Sequence, residues 1–492
     1  MSEPVAVVER SALRHLLHGS AWQLCLRWAV RLTGLVSTVV LARLLTPEDY
    51  GIVAIATLIY GTIEVFSQVG VSNSVIRHPN PTREHYDSAF TLCLLLGFVL
   101  SLVVLAVTPL TTFYFHEPRA TPVLLVLALR SALGGLQNIA VVNFQRRFEF
   151  HKQFALNVSS TLIGFVSVLV SAFVLRNYWA LVIGIMTKQI AQVMMSYILE
   201  PYMPRLTLSK ISDLIGYSFW TLSRNIGNYA FDQVEKLAIG PAMGAAAMGR
   251  FEVGRDLAYS PIVEIVSPVS FTLFSVMARL QNDPQKRREV FLHALYWSAL
   301  ICSSMAIGMA LVAADVVHLV LGAQWDSIAP MMPWLALSCG VVGLTSSIYS
   351  FLDSLGRANL SAQLQWSRVI MLALVAFPVT FYFRDLEEIA LSRFVVCCAI
   401  SPALFLTLTG PLNMSMRDFA VVLWRPFAAG LFMAVVVLAI NALVPLTGAS
   451  RLSVDVLLGA LAFASSLMAL WFIAGRPDGP ETVFWRQVRR WV

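Results

Sequence analysis

Arg27 and Arg31 stand four residues apart in an otherwise apolar run, 20–44, and that spacing sets both guanidiniums on one face of a helix. At 1.5 Å per residue, Arg27 lies roughly 10 Å and Arg31 roughly 16 Å along it. Arg224 has a similar depth, about 15 Å, in a run that begins at 214. Guanidiniums at mid-depth present planar forks of donors that match phosphate oxygens. The run 214–240 continues through Asp232, Glu235 and Lys236, and the next, 246–278, opens with Glu252, Arg255 and Asp256 and holds Glu264 deeper. Glu64, counted back from the end of the run 48–70, is about 9 Å deep and within reach of Arg27.

An ionised side chain at the centre of a bilayer costs roughly 2.5–3.5 kcal/mol on insertion scales, so such residues face a cavity or a partner. Arg27, Arg31, Arg224 and Arg255 are therefore the candidate substrate-binding cations. Glu64, Asp232, Glu235, Lys236 and Glu264 are candidates for ion coupling or for structural pairs, with Arg27–Glu64 and Asp232–Lys236 the pairs the spacing offers. Arg31 and Arg224 have no evident carboxylate at their own level in the sequence. Arg130 and Lys188 are central in their runs. Arg393 and Arg425 lie near run ends, where long side chains are expected to reach for the interface.

Other chemistry is missing from the sequence. It holds no G-x₄-G-K-[ST] phosphate loop, H-E-x-x-H zinc helix or G-x-S-x-G nucleophile elbow. The six cysteines lie in apolar runs without C-x₂-C spacing and read as small core side chains. Neither a catalytic residue, a metal nor a cofactor is expected.

The elements that must position these charges are membrane spans. The chain has 492 residues, 58% hydrophobic and 13% charged, with mean hydropathy +0.72, whereas a soluble domain is about 25% charged. Too little charge is available to cover a water-exposed surface. A span needs about 20 mostly apolar residues, and fourteen such runs follow one another from 20–44 to 452–475, with twelve or thirteen also open. With the N-terminus inside, short loops place about nineteen Lys and Arg in the cytoplasm and about five outside. That asymmetry sets both termini in the cytoplasm and accounts for the +7 net charge without a nucleic-acid partner.

The runs repeat. Ser20-Ala-Trp22 returns as Ser218-Phe-Trp220, 198 positions on, and the same offset carries Gly51 onto Gly249. Six runs separate the copies, so both cross the membrane in the same direction, the pattern of a parallel repeat with a site between halves. The expected architecture is an all-α integral membrane protein of about 14 transmembrane helices, two pseudo-symmetric six-helix lobes plus two C-terminal helices around a central cavity. Its parts are a cytoplasmic N-terminal segment (1–19), an N-lobe (20–199), a cytoplasmic linker (200–213), a C-lobe (214–411), two further spans (412–475) and a basic, aromatic cytoplasmic tail (476–492) suited to contact with membrane lipids.

Several stretches resemble the Wzx-type bacterial polysaccharide flippases of the multidrug/oligosaccharidyl-lipid/polysaccharide transporter superfamily. They are Gly19-Ser-Ala-Trp22, Leu41-Ala-Arg-Leu-Leu-Thr-Pro-Glu-Asp-Tyr-Gly51, Val69–Arg77, Gly249–Ala258, the loop Arg279–Arg288, and Gly322-Ala-Gln-Trp325-Asp-Ser-Ile-Ala-Pro330. No one motif is diagnostic; their order along nearly the whole chain carries the likeness. The resemblance implies translocation of undecaprenyl-diphosphate-linked oligosaccharide units across the bacterial inner membrane for exopolysaccharide, capsule or O-antigen synthesis. It also implies alternating access around a cationic cavity lined by spans one, two, seven and eight, and work beside a polysaccharide polymerase and export machinery. Two other readings stay open. A multidrug or cation antiporter of the same superfamily would favour an acidic cavity. A membrane glycan polymerase or ligase would need a reaction chamber, and the external loops here are short.

Overall fold

The computed structural model describes residues 26, 28–67, 71–78, 80–147, 149–211, 219–279, 283–444 and 447–475. Helices dominate, and no β-strand occurs among the described residues. In chain order the main helices are α1 (28–44), α2 (Pro47–Glu64), α3 (Val71–Arg77), α4 (Arg83–Val107), α5 (Ala120–Gly135), α6 (Phe150–Leu175), α7 (Trp179–Leu199), α8 (Phe219–Arg279), α9 (Pro284–Val316), α10 (Met332–Ser354), α11 (Ala358–Phe383), α12 (Leu386–Leu412), α13 (Met416–Leu443) and α14 (Gly448–Ile473).

Nine helices among the described residues are long and apolar enough to cross a membrane, and ten if α5 and the bent segment Ile139–Arg146 count as one. Helices α2 and α8 are not among them, and they carry Glu64, Arg224 and the Asp232–Glu264 charges; Arg31 lies on α1. Along the apolar helices, large side chains stay uncovered by protein: Leu374, Leu431, Leu438 and Leu461 are each at least 60% exposed. Helices whose backbone bonds are closed internally can present such faces to lipid.

The chain divides into two compact units. The first runs to Tyr229 and adds Met243–Gly249. The second is Ala230–Ala242 with the chain from Arg250 onward.

In the first unit the Leu41–Gly51 motif is a helix start with a crossing built into it. Thr46 caps α2 through a reciprocal box with Asp49, whose Oδ2 lies 2.7 Å from Thr46 Oγ1, and Pro47 takes the first helical position, where its missing N–H costs nothing. The other Asp49 oxygen accepts the Tyr178 N–H at 2.9 Å, and Glu48 pairs with Arg119 at 2.5 Å. Three connections are thus gathered at one end of the unit. One turn into α2, Gly51 lies against Ala245, and a Cβ there would overlap the Ala245 carbonyl oxygen. Gly249 lies against Pro47 in the same way, and a Cβ on it would overlap the Pro47 carbonyl oxygen. The 198-residue offset turns Pro47 and Gly51 into Ala245 and Gly249, so it exchanges the two halves of this contact. The crossing is two-fold related within itself, and small residues at four-residue spacing let the backbones meet.

The segment after α7 is docked along α4. Tyr202 donates to Asp87, which also accepts the Arg205 N–H at 2.9 Å, and the N–H groups of Thr207 and Lys210 reach Thr91 (3.0 Å) and Ser88 (3.2 Å). Burial and the Asp87 carboxylate push the Tyr202 phenol above its ordinary range.

In the second unit a large apolar core runs through α9 to α13, with Phe291 and Phe351 edge to face at 5.2 Å. The Gly-x-x-Trp-x-x-x-x-Pro stretch after α9 buries Trp325 completely in a 3₁₀ turn. Helix α8 is a hairpin of two helical arms that turn at Gly244, whose φ of 81° favours glycine. Side chains pair across it at matched distances. Lys236 meets Glu252, each eight residues from Gly244, and Asp232 meets Arg255, twelve before and eleven after.

The crossing makes a symmetric prediction. Gly51→Ala and Gly249→Ala should each lower the thermal midpoint of the purified protein, and by similar amounts, because each forces apart the same pair of segments. Gly410→Ala, where nothing lies within 4 Å, should leave it unchanged or raised, since Ala is the better helix former by about 1 kcal/mol.

Candidate functional site

Arg393, on α12, is the hub of the second unit's charges, and its side chain is fully buried. Its Nη1 donates to both oxygens of Glu235, at 2.6 and 2.8 Å, and to the Phe231 carbonyl at 3.1 Å. Nε donates to the Tyr259 hydroxyl at 2.7 Å, and Nη2 lies 3.4 Å from Asp232. Glu235 is as deeply buried as Arg393. This satisfies the condition for keeping an ion pair in a low-dielectric interior: good geometry plus partners for the remaining donors.

Arg255 closes a second layer. It meets the Asp232 carboxylate at 2.9 Å, donates to the Asp232 carbonyl at 2.6 Å and lies 5.2 Å from the Tyr259 ring. Lys236, nearly fully buried, pairs with Glu252. The Arg393 and Arg368 guanidiniums both lie over the Phe231 ring, at 4.3 and 4.1 Å. Asp232 keeps 47% of its side chain exposed while Arg255 keeps 14%, so the open edge of the cluster is a carboxylate already held by two arginines.

The first unit has a smaller cluster. Glu64 accepts from Tyr60 at 3.1 Å and lies 3.8 Å from Arg130, which in turn stacks 5.0 Å from the Tyr60 ring. Ser131 reaches the Tyr60 hydroxyl at 3.4 Å. Arg31 on α1 and Arg224 near the start of α8 are both half-buried.

Several sequence expectations shift here. Arg27 lies outside the described residues; Glu64, expected beside it, is met by Arg130. The expected Asp232–Lys236 pair gives way to partners on the other arm of the hairpin, because the turn at Gly244 brings opposite charges to equal heights. Arg255, expected at substrate, has a resident anion. Glu264 is half-buried and makes no hydrogen bond or ion pair among the described residues. Arg393 and Arg425 do not reach for the interface: Arg393 is fully buried, and Arg425 is 6% exposed and lies over the Tyr296 ring at 4.9 Å. Their partners come from other helices, Glu235 being 158 positions from Arg393. Sequence reasoning missed Arg393, Arg368 and Tyr259 as site residues. The available signal was the single basic residue in each of the apolar runs 360–383 and 388–411.

Residues 40–330 match the family described as Polysaccharide biosynthesis protein. The chain belongs to this family. It is similar to the Lipopolysaccharide biosynthesis protein WzxC of Escherichia coli (strain K12), 24% identical over 84% of each chain. It is also similar to the Succinoglycan biosynthesis transport protein ExoT of Rhizobium meliloti (strain 1021), 24% identical over 65% of this chain and 66% of that one. Among solved structures, the Lipid II flippase MurJ in an inward closed conformation superposes with a TM-score of 0.72 at 12% identity, covering 94% of this chain and all of that one. The fold of this chain is therefore that of MurJ. The family match ends before α11 and α12, which supply Arg368 and Arg393.

The buried pair makes a sharp prediction. Glu235→Gln should leave the Arg393 charge uncompensated and cost roughly 3–5 kcal/mol, seen as a marked fall in thermal midpoint. Glu235→Leu combined with Arg393→Met should restore most of that loss. Single and double variants equally stable to the native protein would remove the pair from the architecture.

Proposed function

We propose that this protein carries undecaprenyl-diphosphate-linked oligosaccharide units from the cytoplasmic to the periplasmic leaflet of the bacterial inner membrane by alternating access. The units are precursors of exopolysaccharide, capsule or O-antigen. Both termini lie in the cytoplasm in this reading, and a polymerase and export machinery take the product onward. No covalent bond changes, so the protein is not an enzyme.

The observation that carries the reading is the concentration of charge on α1, α2 and α8 of a MurJ-type fold, with Arg31 and Arg224 at similar depth in helices matched by the 198-residue repeat. A glycan on a diphosphate cannot cross about 30 Å of hydrocarbon unaided. Guanidiniums near the midplane neutralise the diphosphate with bidentate contacts, while the lipid tail stays in the bilayer. The names of the WzxC and ExoT relatives support the substrate class. The antiporter reading is weakened by the second unit, where Asp232, Glu235 and Glu252 already hold arginine or lysine. Glu264 is then the carboxylate left for coupling to a proton or cation.

Arg31→Ala and Arg224→Ala should nearly abolish glycan export while the protein still reaches the membrane at normal levels. Arg→Lys at either position keeps the charge, loses the fork and should retain part of the activity. Both alanine variants exporting glycan normally would contradict the proposal.

A further inference from the structure

Lys188 belongs to none of the roles described so far and Arg130 only to the Glu64–Tyr60 cluster, yet both stand at mid-depth. Arg130 is ten residues from the start of α5 and Lys188 nine from the start of α7, which puts each about 15 Å into a layer of about 30 Å. Helices α5 and α7 pack against each other, and one turn beyond Arg130 a Cβ on Gly134 would stand 3.8 Å from the side chain of Gln189, the neighbour of Lys188. The neighbouring carboxylate is Glu64, loosely placed at 3.8 Å from Arg130 with 41% of its side chain exposed. No acceptor reaches the Lys188 ammonium among the described residues. Of these two cations, Arg130 has a carboxylate within 4 Å and Lys188 has none among the described residues.

Lys188 is turned from the centre of the apolar exposed face of α7: that face is marked by Ile190, Met194 and Ile198, and at 100° per residue Lys188 lies about 160°, 120° and 80° from them. Its stem emerges from the seam with α6, where a Cβ on Gly164 would stand 2.7 Å from the Lys188 Cβ. The Lys188 side chain is nonetheless exposed. An exposed ammonium at this depth, turned from the lipid face, requires water or an anion opposite it.

We propose that Arg130 and Lys188 form a second oxyanion site, in the first unit, for the diphosphate of the lipid-linked substrate. The inference rests on the diphosphate reading above. Lys188 supplies a point charge for one oxygen. Arg130 supplies a planar fork, held against Tyr60 and Glu64 until an oxyanion replaces the carboxylate. Glu64 then competes with substrate for Arg130, so removing its charge should favour binding, whereas a purely structural Glu64–Arg130 pair would lose order when broken.

The test is binding of undecaprenyl diphosphate to the purified full-length protein in detergent, by native mass spectrometry, with undecaprenol as the tail-only control and inorganic pyrophosphate as competitor. The native protein should prefer undecaprenyl diphosphate, and Lys188→Gln should weaken it about tenfold, the worth of a charge-assisted contact. Lys188→Arg should retain most of the affinity, Glu64→Gln should bind at least as tightly as the native protein, and undecaprenol binding should not change. Competition by pyrophosphate would assign recognition to the phosphates alone; its absence would show that the tail is needed to seat them in the same site. Native affinity in both Lys188→Gln and Arg130→Gln would overturn this site while leaving the flippase reading intact, and so would weaker binding by Glu64→Gln. A native protein that does not distinguish undecaprenyl diphosphate from undecaprenol would instead overturn the flippase reading itself.

Discussion

The cost of an ionised side chain in hydrocarbon governs this structure. Several kcal/mol per buried ion are offset in two different ways in the two units. In the second unit the charges neutralise one another: Arg393 is enclosed by Glu235, Tyr259 and the Phe231 carbonyl, and Arg255 and Lys236 each hold a carboxylate across the α8 hairpin. In the first unit Arg130 has Glu64 only at 3.8 Å, and no carboxylate meets Lys188 among the described residues. A closed network suits a rigid scaffold, and an excess of positive charge suits an anionic cargo that arrives and leaves.

The repeat shows how the chain brings charged helices close without exposing backbone. Pro47-x₃-Gly51 and Ala245-x₃-Gly249 occupy each other's grooves, and the offset that relates them in sequence also exchanges them in space. Backbone approach of this kind needs small side chains on both partners, which is why glycine sits at the two equivalent positions. The same segments cap α2 through Thr46 and Asp49 and tie its start to the α6–α7 turn through Tyr178. A stretch that reads as a family motif is thus a piece of local mechanics: a cap, a tether and a crossing.

Most of the scaffold was legible because lipid-facing helices leave a coarse signature, apolar length, that does not depend on tertiary partners. The charges at Asp232, Glu235 and Lys236 stood out against an apolar run, and Gly51 and Gly249 were found by their offset. Partnership was not legible. Counting residues from the ends of a run gives depth but not direction, so Arg393 and Arg425 looked like interfacial side chains although both face protein. Lys236 was matched to Asp232 on its own helix because the break between the runs 214–240 and 246–278 announces a reversal but not which residues of the two arms stand at equal heights. Arg130 and Lys188 were seen at mid-depth, but the place of Arg130 beside Glu64 and Tyr60 needed the packing of α2 against α5.

The central claim is that the protein moves a diphosphate-linked glycan across a bilayer and changes no bond in it. The direct measurement uses the purified protein in proteoliposomes with a fluorescent undecaprenyl-diphosphate oligosaccharide in both leaflets, followed with a membrane-impermeant reductant. The account predicts that fluorescence in protein-free vesicles falls by the outer-leaflet share alone. With the protein present it should fall beyond that share, and the recovered lipid should keep its original mass. Fluorescence loss that stops at the outer-leaflet share with the protein present, or product of altered mass, would contradict it.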